Sequence, residues 1–248
     1  LPSVEGRLSD LGEHAPLLIW VAGDQVALEQ DFAGIVGTRK PSVKGASNAR
    51  RLVASLRMPI VSGGAIGIDR AAHEAALEFG LPTVAIMAGG LDKAYPMENW
   101  EMFHQIVRSG GVLMSEMPPG AAPSRFRFLQ RNRLIAAMCK ELFVVEAAHR
   151  SGSRNTANHA RALGREVYAL AGSWASEQSQ GCNTMIKEGV AKQYVLDDPI
   201  QIEPSWTEKR VQDALRAGAK TPSEIATESG VGLKQVKSIM LLGGKTCN

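Results

Sequence analysis

One stretch of the chain decides the fold prediction: Val61-Ser62-Gly63-Gly64-Ala65-Ile66-Gly67-Ile68-Asp69. A short apolar run leads through glycines into a helical pattern, which predicts a strand, a tight turn and a helix. The first N–H groups of a helix carry a partial positive charge, and glycines let an anion approach the backbone. We therefore predict a phosphate-binding turn here; the alternative is a turn that binds nothing.

The same alternation continues on both sides of this stretch, from Phe32 to about residue 196. The predicted strands are Gly34–Gly37, Ile60–Ser62, Thr83–Met87, Gly111–Ser115, Leu142–Glu146 and Glu166–Leu170. The predicted helices are Val43–Arg57, Arg70–Phe79, Met97–Arg108, Ser124–Met138 and Asn155–Leu163. This pattern indicates an α/β fold whose mostly parallel sheet is covered by helices on both faces. Such sheets bind ligands beyond the carboxyl ends of their strands, where the strand order reverses.

Composition divides the chain into four predicted parts. Residues 1–30 are a lead-in strand, at Leu17–Val21, with a linker, and residues 31–196 are the α/β domain. An acidic, proline-bearing linker follows at 197–208, and a small helix-turn-helix unit occupies 209–248. Its helices are predicted at Val211–Arg216, Pro222–Glu228 (with Thr221 as N-cap) and Leu233–Leu242.

The overall composition excludes several classes of protein. The 248 residues carry a formal net charge of +3, which alone does not establish nucleic-acid binding. The cysteines Cys139, Cys182 and Cys247 are widely spaced, so that neither a disulfide framework nor a zinc site is expected. Because these cysteines form no predicted pairs, a reducing cytoplasm is the expected location. The sequence also has no apolar run with the length of a bilayer crossing. The histidines show no metal spacing, and we predict no metal and no cofactor.

The segment Ser124–Arg133 combines four arginines with two phenylalanines. Arginines bind phosphates and aromatic rings stack on bases, a combination used for single-stranded nucleic acids. Arg127 and Arg131 are four residues apart and share a helix face. The alternative is a solvated basic helix whose phenylalanines lie in the core. We expect phosphate contact for the arginines, a core position for Phe128, and base stacking as a role for Phe126.

Two further loops follow predicted strands. Gly37-Thr38-Arg39-Lys40 offers a close backbone approach, a hydroxyl group and a forked cation that suits a phosphate. In the loop before Pro96, Tyr95 is a candidate for stacking on a base, and a packing role for this ring is the alternative.

Tests for specific enzyme chemistry are negative. A dinucleotide-binding fingerprint requires glycine where Ser62 stands and a carboxylate on the next strand, and Thr83–Met87 has none. His73 lies one helical turn after Asp69, so we predict a structural hydrogen bond between them that orients the glycine turn. No nucleophile and base are arranged for catalysis, and we predict that the protein is not an enzyme.

Taken in chain order, short motifs across residues 33–195 resemble the DNA-processing protein A (DprA/Smf) family. Each motif is weak alone, but the ordered set is specific. The matching segments are Ile35–Arg39, Ser62–Ala65, Gly67–Asp69, Ala72–His73, Ala94–Pro96, Glu98–Asn99, Ser115–Glu116, Arg131–Ala136, Val145–Ala147, Ser151–Ser153, Thr156–Ala157 and Gly181–Asn183.

The resemblance implies an extended Rossmann-like fold that binds single-stranded DNA without catalysis and forms a homodimer. Members of the family protect incoming DNA during natural transformation and help to load the RecA recombinase. By matching motif, the DNA-binding pocket would be lined by Arg39, Ser62, Gly63, Gly64 and the segment Arg131-Asn132-Arg133. The C-terminal helices look like a truncated winged-helix module, for which docking or regulation is expected and duplex reading is the alternative.

The chain departs from the family pattern at several positions. Leu129 replaces a proline, and Arg154-Asn155 stand in the motif that usually reads S-G-S-L-I-T-A, which adds a charge beside the pocket. Two other functions stay open. One is a nucleotide-hydrolysing Rossmann enzyme of the lysine-decarboxylase-like (LOG) group, although its P-G-G-x-G-T string is absent from the sequence. The other is a transcription regulator that senses a small ligand.

Overall fold

The computed structural model describes residues 2–93, 95–196 and 214–229. The strands are β1 Trp20–Gly23, β2 Phe32–Val36, β3 Ile60–Ser62, β4 Thr83–Ile86, β5 Val112–Ser115, β6 Cys139–Val144, β7 Glu166–Leu170 and β8 Lys192–Tyr194. The helices are α1 Pro2–Ser9, α2 Val43–Leu56, α3 Ile68–Glu78, α4 Trp100–Arg108, α5 Arg125–Met138, α6 Gly152–Ala162, α7 Glu177–Lys187 and α8 Pro222–Ser229. The described residues form two compact units, one over 2–196 and one over 214–229.

All eight strands of the first unit form one sheet in the order β1-β5-β4-β3-β2-β6-β7-β8. Neighbouring strands are parallel except β1, which runs antiparallel to β5 at one edge. After β2 the chain adds β3, β4 and β5 on one side, and it then returns to place β6 on the other side. The order therefore reverses between β2 and β6, which creates a crevice at their carboxyl ends.

Helices cover both faces of this sheet. Along β2, Ile35 packs in a cluster with residues of α2 and α3, such as Leu52 and Ala72. Its neighbour Val36 belongs to a second cluster with residues of α1, α5, α6 and α7, including Leu134. Because successive side chains of a strand point to opposite faces, the two clusters lie on opposite sides of the sheet. The structure thus confirms the predicted α/β fold with a mostly parallel sheet.

The start of α2 is tied to the end of β6. Ser42 caps α2 by accepting a hydrogen bond from the N–H of Gly45 at 2.9 Å. The backbone N–H and hydroxyl of Ser42 donate to the carboxylate of Glu146, at 2.9 and 2.5 Å. A Cβ atom at Gly45 would lie 2.2 Å from that carboxylate, so a larger residue there would displace Glu146 from Ser42. These contacts fix the loop after β2 beside the loop after β6.

The structure differs from the prediction at both ends of the first unit. Residues 2–9 form α1, where the sequence predicted only a lead-in strand and a linker. The predicted strand Leu17–Val21 begins later, at Trp20, and Leu17 and Leu18 are exposed. Helix α7 and strand β8 were not predicted, because both are largely polar.

The second unit contains α8, which begins where the sequence predicts a helix. Thr221 caps it by accepting from the N–H of Glu224 at 3.2 Å, and Glu224 accepts from the N–H of Thr221 at 3.1 Å. Ile225 is buried in a cluster with Ala214. The predicted linker 197–208 and the third helix of the helix-turn-helix unit lie outside the described residues. The division into four parts therefore stays a prediction.

Across the described ranges, none of the helices combines the length and apolar character that crossing a membrane requires.

Candidate nucleic-acid interface

A cavity of about 1060 Å³ opens at the carboxyl edge of the sheet, where the strand order reverses. The loops after β2 and β6 contribute to its walls, together with the first turns of α5 and α6. Its lining includes Val36–Arg39, Ala65, Asp69, Tyr95, Pro123–Arg125, Phe128, Leu129, Arg131, Asn132, Ile135, Ala148–Thr156, Asn158 and Glu188.

Three loops meet at the base of the cavity. The N–H of Thr38 donates to the carbonyl of Glu146 at 2.7 Å, and the N–H of Ile68 donates to the carbonyl of Thr38 at 3.2 Å. Gly67 has a φ of +89°, and a Cβ atom there would lie 2.4 Å from the carbonyl oxygen of Thr38. Only glycine fits this position, because it tolerates positive φ and adds no side chain. The loops after β2, β3 and β6 are thereby held together.

Arg131 of α5 is the central cation of this site, although only 5% of its surface is exposed. Its guanidinium packs on the backbone at Gly63, where a Cβ atom would lie 1.6 Å from Nη1. Among the described residues this guanidinium has no hydrogen-bond partner, and its Nε atom is fully buried. A buried guanidinium without hydrogen-bond acceptors is costly, so an anion that enters the cavity would satisfy it.

Asp69 faces two arginines from the start of α3. Burial raises the pKa of its carboxyl group, whereas Arg131, the N–H of Ala65 and Arg39 favour the charged form. The N–H of Ala65 donates to Oδ2 of Asp69 at 3.4 Å, so Asp69 orients the glycine turn. Burial, opposed by Asp69, lowers the pKa of Arg131 to about 10, which leaves the guanidinium charged at neutral pH.

The predicted hydrogen bond between Asp69 and His73 is wrong. Nδ1 of His73 lies 2.8 Å from Oγ1 of Thr83, whose hydroxyl donates to the carbonyl of Ile60 at 3.1 Å. Because that hydroxyl proton is directed at Ile60, the ring donates from Nδ1. Burial, with a further contribution from Arg131, lowers the pKa of His73 to about 3. Asp69 therefore holds the glycine turn without the histidine.

An aromatic cluster forms another part of the wall. The guanidinium carbon of Arg39 lies 4.6 Å from the ring centre of Phe128, which is a cation–π distance. The ring of Tyr95, itself 49% exposed, lies 5.7 Å from that of Phe128. Phe128 is half-buried and lines the cavity, so its predicted core position is wrong.

The first turn of α6 closes the cavity on the side of β6. Ser151 caps α6 by accepting from the N–H of Arg154 at 3.4 Å. The buried Asn132 of α5 donates from Nδ2 to the carbonyl of Gly152 at 3.3 Å and to Oδ1 of Asn155 at 3.1 Å. Asn132 thus joins the two helices and fixes where α6 begins.

The structure brings half of the predicted site residues into the cavity. Those that line it are Gly37, Thr38, Arg39, Ala65, Arg131, Asn132 and Tyr95. Ser62, Gly63 and Gly64 lie behind this lining: Ser62 is fully buried and donates to the carbonyl of Ile35 at 2.5 Å. Lys40 is exposed and does not line the cavity. Their roles in binding stay predictions.

The remaining predicted residues, Arg127, Arg133 and Phe126, do not line the cavity. Arg133 forms an ion pair of 2.6 Å with Glu116 and donates to the carbonyl of His14 at 3.0 Å. Arg127 donates to the carbonyl of Ala122. Phe126 is 73% exposed and, with Arg133, lines a separate depression of about 430 Å³.

Sequence reasoning anticipated most cations of the cavity but missed Arg150. Its lining contains five arginines and two carboxylates. Arg125 belongs to the segment expected to contact phosphate, and Arg154 was expected as a charge beside the pocket, whereas Arg150 was not singled out. The signal was the position of Ser151–Ser153 after a strand next to the point of strand reversal. Within the described part of the chain, no group of three or more His, Cys, Asp or Glu side chains is arranged to hold a metal ion.

The fold and the cavity define a class: a Rossmann-like α/β protein with an arginine-rich, aromatic-lined cleft at the reversal of its strand order. The family model for DNA recombination-mediator protein A matches residues 4–203. The chain therefore belongs to that family, as the ordered motifs predicted.

Two curated relatives support this assignment. The putative DNA processing protein DprA of Mycobacterium tuberculosis (strain H37Rv) is 42% identical over 250 residues, covering 90% of this chain and 64% of the relative. DNA processing protein DprA of Streptococcus pneumoniae (strain R6) is 39% identical over 184 residues, covering 73% of this chain and 65% of the relative. The chain thus spans slightly less than two thirds of these relatives.

Solved structures agree with the fold. DNA processing protein A from Streptococcus pneumoniae gives a TM-score of 0.71 at 39% identity, over 76% of this chain and 66% of that one. DNA processing protein A from Helicobacter pylori gives a TM-score of 0.69 at 28% identity, over 75% of this chain and 86% of that one. That structure gives insight into a unique single-stranded DNA binding mode. Both similarities confirm the Rossmann-like fold.

Proposed function

We propose that the cavity binds single-stranded DNA without a chemical reaction, as part of a role in recombination. The observation that carries this proposal is Arg131, a buried guanidinium without a hydrogen-bond partner among the described residues, at the wall of an arginine-rich cavity. A phosphodiester would supply both the charge and the acceptors that this group lacks. The first turns of α5 and α6 line the same cavity and add partial positive charge.

The aromatic residues favour a single strand over a duplex. Tyr95 and Phe128 line the same cavity as the arginines, and Tyr95 is exposed. The base faces of a single strand are available to such rings, whereas those of a duplex are mostly covered by the neighbouring base pairs. Stacking tolerates every base, so we propose binding that is independent of sequence.

Two of the three serines that line the cavity act as helix caps. The hydroxyls of Ser124 and Ser151 accept hydrogen bonds from the N–H groups of Arg127 and Arg154, as the N-caps of α5 and α6. Their oxygens are therefore used in holding the helices that line the cavity.

The test is fluorescence anisotropy of labelled oligo-dT and of its duplex over a salt series. We expect a preference for the single strand and a log–log slope of about −0.7 per phosphate neutralised. Arg39→Ala should weaken binding, because Arg39 is exposed at the cavity and bears no ion pair in the described structure. The matched control is Arg108→Ala, an exposed arginine in the last turn of α4. A duplex preference, or equal affinities of the two variants, would contradict the proposal.

We further propose that the protein protects incoming DNA, acts as a homodimer and helps to load the RecA recombinase. Membership of the family and the single-stranded DNA binding of the Helicobacter pylori relative support this. Nuclease protection of oligo-dT, light scattering, and the rate of RecA filament formation with and without the protein test the three parts separately. An unprotected strand, a monomeric mass or an unchanged filament rate would contradict the corresponding part.

A further inference from the structure

The first turn of α6 presents a serine hydroxyl to the cavity. Ser153 is 6% exposed and lines the cavity at the second position of the helix. No residue in the described ranges forms a hydrogen bond with its Oγ atom. The side chain is held by its buried surroundings while Oγ reaches the cavity, so this hydroxyl is available to a ligand that enters there. The free N–H groups at the start of the helix face such a ligand with partial positive charge.

An ion pair lies beside this hydroxyl. Arg154, the next residue of α6, pairs with Glu188, which caps the end of α7, and both residues line the cavity. Each charge is placed unfavourably for its own helix, since a cation stands at a positive helix start and a carboxylate at a negative helix end. The two charges compensate each other, and their side chains are 26% and 45% exposed.

We propose that the first turn of α6, with Ser153 and Arg154, is a second phosphate subsite, and that Glu188 holds Arg154 until a phosphodiester replaces it. The inference rests on the proposed function, because the ligand is a further phosphodiester of the strand that Arg131 binds. A phosphate at this turn would accept from the Ser153 hydroxyl and would attract the Arg154 guanidinium away from Glu188. Glu188 therefore limits the affinity for the strand by competing for Arg154.

The experiment is a double-mutant cycle on oligo-dT affinity with Glu188→Gln and Arg154→Ala. Partly exposed ion pairs contribute about 0.2–1 kcal/mol, so Glu188→Gln should tighten binding by about 1.4-fold to fivefold. Arg154→Ala should weaken binding. In the Arg154→Ala background, Glu188→Gln should have no effect, because the carboxylate then has no arginine to withhold.

The control is an ion pair of similar kind away from the cavity. Lys192 and Glu166 pair at 2.6 Å at the first residues of β8 and β7, on the amino edge of the sheet. Glu166→Gln and Lys192→Ala should leave oligo-dT affinity unchanged. Thermal unfolding of every variant separates a loss of folding from a loss of binding.

Several outcomes would overturn the subsite. Glu188→Gln would leave affinity unchanged if the pair only joined α6 to α7. An equal gain in the Arg154→Ala background would mean that Glu188 repels the strand directly. Inorganic phosphate could displace oligo-dT when it is present at the same concentration as the phosphates of the strand. In that case the ligand of the subsite would be free phosphate and not a strand. Weak oligo-dT binding that Arg39→Ala does not change would contradict the proposed function itself. If Arg39→Ala weakens binding as expected and the Glu188 and Arg154 variants do not behave as predicted, only this subsite is wrong.

Discussion

Arg131 and Arg133 stand two residues apart on α5, yet they lie in opposite electrostatic situations. Arg131 faces the cavity, buried and without a hydrogen-bond partner among the described residues. Arg133 faces Glu116 and the carbonyl of His14, which satisfy its guanidinium. The comparison teaches that an arginine-rich helix divides its cations between ligand binding and structure. What decides the role of each one is whether the fold supplies hydrogen-bond acceptors for its guanidinium.

The largest expected effect is a loss of folding stability when Arg133, the arginine that has its partners, is replaced. Arg133→Ala would leave the buried carboxylate of Glu116 without its cation, and breaking a buried pair costs about 3 kcal/mol or more. Urea unfolding measures the change, and oligo-dT affinity should remain close to that of the parent. Adding Glu116→Ala should recover part of the stability. A folded, equally stable Arg133→Ala protein with reduced DNA affinity would reverse the comparison.

Next in size is the effect of the unsatisfied arginine on binding. Arg131→Met keeps the bulk of the side chain and removes its charge, and a hydrogen bond to a charged group contributes about 1.5–3 kcal/mol. Oligo-dT affinity should therefore fall by about tenfold or more, measured by anisotropy. Arg131→Lys should recover only part of it, because lysine lacks the forked geometry. Parent-like binding by Arg131→Met would remove Arg131 from the site.

A glycine behind the cavity gives a subtler test of the same arginine. Gly63→Ala places a Cβ atom 1.6 Å from Nη1 of Arg131, so the guanidinium must move while keeping its charge. We expect a loss of oligo-dT affinity that is smaller than that of Arg131→Met. Isothermal titration calorimetry on Gly63→Ala and on Gly6→Ala, a glycine whose Cβ would have nothing within 4 Å, separates this effect from general strain. Equal affinities would contradict the prediction.

Aromatic rings lie beside both faces of α5, and they should differ in how much they contribute to DNA binding. Removing a stacked ring costs about 1–3 kcal/mol per base. Tyr95→Ala, at the cavity, should therefore weaken oligo-dT binding, whereas Phe126→Ala, in the other depression, should not. Competition with unlabelled oligo-dT measures both. If Phe126→Ala proved the weaker binder, the strand would follow the other face of the helix.

The smallest effect is a change in the titration of His73. Its pKa is lowered first by burial and second by Arg131, to about 3. Since the folded pKa lies below the unfolded value of about 6.5, this neutral ring contributes stability above pH 6.5 that is lost as the pH falls towards 3. Arg131→Met should raise the pKa of His73 slightly, and Arg133→Ala should leave it unchanged. NMR titration of the His73 ring measures its pKa in both variants. The same pKa change in Arg131→Met and Arg133→Ala would contradict the prediction.

The sequence predicted the sheet well because each buried strand carries its signal locally. Ile60–Ser62 and Glu166–Leu170 begin and end where the apolar pattern does. Which of Arg131 and Arg133 has hydrogen-bond partners cannot be predicted locally. The partner carbonyl of Arg133, at His14, is 119 residues away in the chain. The first turn of α6 was also ambiguous, because Ser151 reads equally as a cap or a turn. Only the neighbouring Asn132 and the reversal of strand order make it part of a cavity.

A selection for heat resistance alone would be expected to replace Arg131 and Asp69. Burial shifts the pKa of both groups against their charged forms, so both charges would be held better by water than by the folded chain. Exchanging buried charges for well-packed apolar residues often raises stability by about 1–4 kcal/mol. The same exchange would abolish the proposed hold on phosphate, which is a trade-off between durability and activity. Thermostable variants selected with oligo-dT present should keep both residues, and those selected without it should lose them.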